Sequence, residues 1–111
     1  MEPAVSRSLE ARVWLTNNPG ALAVNRFHTA ADARAFVDAL YREGATEVLV
    51  EHPRVDRSGA PRADGLLVRV PAIGETRWAV ERFCRREGPG GVPPGGFVMR
   101  AVGREITLWW D

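Results

Sequence analysis

ARVWLTN, Ala11 to Asn17, alternates at period two, with Val13 and Leu15 on one side and Arg12, Trp14 and Thr16 on the other. That is the spacing of a half-buried strand, and it predicts a β element ahead of the strongest helical signal in the chain. The helix runs from Thr29 to Glu43, where Ala33, Phe36, Val37, Leu40 and Tyr41 form the stripe that lies on a core. Thr29 with Asp32 three residues on reads as a capping box, and Gly44 stands where a helix C-cap is wanted.

Beyond that helix, TEVLVEH alternates Val48 and Val50 with Glu47, Leu49 and Glu51. DGLLVRV sets Leu66, Val68 and Val70 against Leu67 and Arg69. The polar stretch Pro53 to Ala63 between them makes a long-looped hairpin. A second helix is predicted over Glu75 to Glu87, entered after Pro71 and Gly74 and stopped by Gly88-Pro89. Its core side carries Thr76, Val80, Phe83 and Cys84, which leaves Trp78 pointing away beside Glu81, Arg82 and Arg85. GPGGVPPGG, Gly88 to Gly96, is a connector, and Phe97 to Val102 is either a short strand or the approach to the last one.

The chain closes on GREITLWWD, Gly103 to Asp111, where Ile106, Leu108 and Trp110 share one strand face and Thr107 and Trp109 the other. The order strand, helix, strand, strand, helix, strand, joined by right-handed crossovers, implies an α+β domain. Its expected form is a ferredoxin-like βαββαβ sandwich: an antiparallel sheet with two helices on one face and the first and third strands central. Residues 1–10 read as an N-terminal arm and 11–111 as the domain.

A chain of 111 residues with 45% apolar and 26% charged residues holds enough apolar material for one core. No apolar run approaches the roughly 20 residues that span a bilayer, and MEPAVSRSLEARV lacks the basic start and apolar stretch of a signal peptide, so a cytoplasmic location is expected. Cys84 is the single cysteine, so neither an internal disulfide nor a cysteine-based zinc site is available. The net charge is +1, and all 15 basic residues are arginine. They are spread along the chain, and a coding bias accounts for them without a nucleic-acid or membrane surface.

The catalytic inventory is short. His28 and His52 stand without a second ligand at metal-binding spacing. Ser6, Ser8 and Ser58 lie in polar segments with no nucleophile elbow, and Cys84 falls on a buried helix face. Asp32, Asp38, Glu43 and Glu81 are distributed as caps and solvated positions. The glycine-rich connector has no Gly-Lys-Ser/Thr ending, and its prolines remove N–H donors. The arginine-bearing glycine loop of acylphosphatases is missing from TNNPGALAVNR. The residues therefore point away from an enzyme, a metal or a cofactor.

The layout FHTAADARAFVDALYREGA, then ADGLLVRVP, then LWWD is similar to a group of small bacterial proteins without an assigned activity. NNPGAL, Asn17 to Leu22, resembles the Asp-x-Pro-Gly-x-Leu turn after the first strand of ACT regulatory domains. Pro19, Gly20 and Leu22 match and Asn17 replaces the acidic residue, although AVNRFH separates the turn from the helix that would start there in that family. The resemblance implies an amino-acid-binding turn at Asn17, Pro19, Gly20 and Leu22.

The main expectation is a non-enzymatic interaction or self-association module. Its working surface would be the open sheet face of Trp14, Leu49, Leu67, Arg69 and Trp109, rimmed by Arg12, Glu47 and Glu51. Trp78, Arg82 and Arg85 make a possible second surface. The alternatives are an ACT-like small-ligand sensor and a weak single-stranded nucleic-acid binder stacking bases on Trp14, with Arg12, Arg69 and Trp109 assisting. The near-neutral charge and the glutamates on that face argue against nucleic acid.

Overall fold

The computed structural model describes residues 9–111, and all but the last two residues of the arm expected over 1–10 lie outside the described residues. In chain order the elements are α1 (Ala11–Asn17), α2 (Ala30–Glu43), β1 (Glu47–Glu51), β2 (Arg54–Val55), β3 (Pro61–Arg62), β4 (Gly65–Arg69), α3 (Glu75–Glu87), β5 (Phe97–Val102) and β6 (Glu105–Trp110). The class is α+β. A four-stranded antiparallel sheet runs in the order β1-β4-β6-β5, and β2 and β3 form a small separate ribbon within the long loop.

The expected first strand is not formed: Ala11–Asn17 is helix α1. The reason lies in two neighbours. Trp14 and Leu15 are both buried together with Ala11, an i, i+3, i+4 stripe; in a strand, Trp14 and Leu15 would point to opposite faces. The Glu10 carboxylate accepts from Val13 N–H at 3.0 Å as N-cap, and the Asn17 and Asn18 amides donate back to the carbonyls of Val13 and Trp14. The linear βαββαβ order is corrected accordingly. The central strands are β4 and β6, the second delivered from the far end of the chain through a two-residue turn at Gly103-Arg104.

α2, with Thr29 as its N-cap, and α3 form where the pattern predicts. Thr29 Oγ1 accepts from Asp32 N–H at 3.0 Å, and the Gly44 N–H closes the far end of α2 onto Leu40 and Tyr41. Phe97–Val102 is a strand, the outer partner of β6.

One sheet face is the core side, with Val48, Val50, Leu66, Val68, Ile106, Leu108 and Trp110 buried. Trp110 is fully enclosed, with Phe27, Phe36 and Phe97 around it at 5.4, 5.8 and 5.6 Å between ring centres. Its indole N–H donates to Gly88 O at 2.8 Å, which ties the last strand to the end of α3. Arg26 reinforces that junction by donating to Gly88 O and Glu87 O at 2.9 and 2.7 Å, supplying partners for carbonyls at the helix end.

Candidate functional site: the outward face of the sheet

Strand register determines which side chains share the second face. Three rows cross it from β1 to β5: Glu51, Gly65, Trp109, Val98; then Leu49, Leu67, Thr107, Arg100; then Glu47, Arg69, Glu105, Val102. Leu49, Leu67 and Trp109 are half-buried, whereas Val98 and Val102 are 54% and 63% exposed. The first two rows are mainly apolar.

The third row is ionic. Arg69 reaches Glu47 at 3.0 Å and Glu105 at 3.7 Å, a charge ladder across three strands. Arg100 stands at the opposite edge of the sheet from Glu47 and Glu51, and among the described residues it makes no salt bridge.

Trp109 owes its position to Gly65, its cross-strand partner. A Cβ at position 65 would stand 2.6 Å from Trp109 Cε3, so the indole lies across the backbone where a side chain would otherwise rise. The ring thereby leans toward the middle of the sheet.

Of the residues expected on this face, Leu49, Leu67, Arg69 and Trp109 are brought together. Trp14 is the correction: on α1 it is only 7% exposed, packed in the core. With it goes the pair of tryptophans on neighbouring strands. Val98 and Arg100 take part instead, and sequence reasoning missed them because it does not decide between strand and approach for Phe97 to Val102. The signal is present in FVMRAV, where Val98, Arg100 and Val102 alternate with Phe97, Met99 and Ala101.

The edge of β1 next to this face is sealed. The Tyr41 hydroxyl donates to Glu10 at 2.5 Å and accepts from Val48 N–H at 2.9 Å, satisfying a backbone donor on an edge strand. Arg12 lies over the Tyr41 ring at 3.9 Å. Burial and the bond to Glu10 push the Tyr41 phenol up to about 12.

The other candidates lie apart. Trp78 is 64% exposed, and with Glu75, Ala79 and Arg82 it lines a shallow pocket of about 470 Å³ on the outer side of α3; Arg85 is exposed on the same helix. Asn17 ends α1, so the Pro-Gly turn follows a helix rather than a strand, and Gly20 adopts φ +75°. Pro19 and Gly20 line an open pocket of about 430 Å³ with Ala60, Pro61 and Arg62, while Leu22 is buried and bridges to Ala63. Across that pocket's loop, Asp56 accepts from Ser58, Arg62 and Ala60, which hold its carboxyl well below the usual carboxylate range. Cys84 is buried, and desolvation pushes its thiol up to about 12, so the thiolate form is suppressed. No family model, curated protein or solved structure matches this chain.

Proposed function

We propose that the protein is a non-enzymatic interaction module that engages another protein through the outward sheet face. The observation that carries this reading is Trp109 laid across Gly65, flanked by Leu67 and Val98, on the side of the sheet opposite the buried Trp110 core. A half-exposed tryptophan with an aliphatic surround and a charged margin has the composition of a binding hot spot. The accompanying fold reading is a ferredoxin-like sandwich whose first strand has moved to the C-terminus: β6 takes the central place that the first strand of that arrangement would hold. The strand order β1-β4-β6-β5, with α3 crossing from β4 to β5 past β6, supports it.

The test is a double variant, Leu67→Arg with Trp109→Ala, assayed for association by light scattering and affinity capture. Association is expected to fall by roughly tenfold or more while the melting transition stays cooperative. Unchanged association in a folded variant refutes the face.

A second reading, a small-ligand sensor, is favoured by the pocket that the Pro19-Gly20 turn shares with Arg62. A bound amino acid would raise the melting temperature, and Gly20→Val would remove the rise. No rise in the parent with any amino acid dismisses this reading. The nucleic-acid alternative loses its stacking residue with the burial of Trp14.

A further inference from the structure

We infer that the occupant of the outward face is a second copy of this chain, packed face to face about a two-fold axis that runs along the strands between β4 and β6. The inference rests on the interaction-module reading and adds the partner and its orientation.

Charge order is the argument. A two-fold along the strands exchanges β1 with β5 and β4 with β6 while keeping each row level. It sets Arg69 against Glu105 of the copy, and Glu105 against the copy's Arg69. Arg100 then meets the row of Leu49, between Glu47 and Glu51 of the facing β1. Every charge on the face thus gains an opposite neighbour, including Arg100, and the pattern is self-complementary as an isologous interface requires.

The competing arrangements fail on the same criterion. A two-fold lying in the face but across the strands keeps each strand over itself and exchanges the outer rows, which sets Glu47 over Glu51 of the copy. Edge pairing of β5 with β5 in register at Arg100 would set the two Arg100 side chains against each other, and in any register it would leave Trp109 uncovered.

The central strands agree with the chosen axis. Sheets stack about 10 Å apart, a gap that interdigitating side chains fill. Because Trp109 leans over its own Gly65 toward the axis, the two indoles meet at the centre of the interface. Leu67 faces Thr107 of the copy, while Val98 and Val102 fall against the copy's Glu51 and Glu47, whose carboxylates flank Arg100. The centre is aromatic and aliphatic, and the margin is ionic.

The experiment is a charge exchange read by sedimentation. Arg100→Glu and Glu51→Arg are each expected to weaken self-association by roughly tenfold or more, because each sets like charges against each other across the interface. Mixed in equal amounts, the two variants should associate more tightly than either variant does alone. The carboxylate introduced by Arg100→Glu in one chain then faces the guanidinium introduced by Glu51→Arg in the other, and the second contact of the pair is the native one. Both substitutions are at the sheet surface, and a cooperative melt checks that each variant is folded. A parental protein that stays monomeric at the highest soluble concentration overturns the second copy as occupant and leaves the face open to test against other proteins. A dimer unaffected by Leu67→Arg with Trp109→Ala overturns both readings. A dimer lost in these face variants but no tighter on mixing the charge variants than in either alone overturns the axis.

Discussion

Tyr41 is the chain's only tyrosine, so its ionisation can be followed without interference. Its phenol is held neutral by burial and by the bond to Glu10, which raises its folded pKa to about 12 from an ordinary value near 10. A group raised in the fold contributes stability that is fully present below the unfolded pKa and is lost as pH rises through the folded one. Tyrosinate absorbance should therefore appear well above pH 10 in the native protein, and stability should decline as pH climbs from about 10 towards 12. Titration at the ordinary pKa in the folded protein would contradict the hydroxyl bridge. Tyr41→Phe should cost about 1 kcal/mol, because Val48 N–H loses its acceptor.

The final strand separates stability from binding within two adjacent residues. Trp110 is fully buried among three phenylalanines, and Trp110→Ala should cost roughly 3–5 kcal/mol by denaturant melts, the range for truncating a large core aromatic. Trp109→Ala, on the outward face, should cost only about 1 kcal/mol in the monomer. Gly65→Ala links the two faces: its methyl would stand 2.6 Å from Trp109 Cε3 and 2.9 Å from Leu108 O, so the indole must swing off the strand. That variant should keep a cooperative melt and show altered tryptophan fluorescence. If Trp109→Ala proves more damaging than Trp110→Ala, the register of β6 is wrong by one residue.

For the molecule as a whole, the consequence of supplying a central strand last in chain order is that the sheet cannot close until β6 is in place. β6 pairs with both β4 and β5, and the Trp110 backbone N–H and indole reach Asp64 and Gly88. Removal of 105–111 should abolish the cooperative melt altogether, because β5 loses its only strand partner among the described residues and the core loses Trp110. Circular dichroism of the truncated chain gives the readout. A truncated protein that still melts cooperatively would mean that the β1–β4 hairpin and the helices form a sufficient core on their own.

Local signals were enough to determine α2 with its Thr29 cap, α3, the β1–β4 hairpin and the two-sidedness of REITLWW. In each of these, the apolar period and the end residues agree. From the same alternation, Leu49, Leu67, Arg69 and Trp109 were legible as sharing a face. ARVWLTN was not legible, because its seven residues satisfy period two as well as the helical spacing of Ala11, Trp14 and Leu15. Only contact with α2 and β1 shows that adjacent Trp14 and Leu15 are both inside. That choice removed Trp14 from the face and opened the central place taken by β6. Which strand neighbours which is a long-range matter, settled by whether Trp110 can enter the aromatic core while its indole reaches Gly88, 22 residues away in sequence. Periodicity along the chain carries no record of that distance; it is decided only when the strands and helices pack.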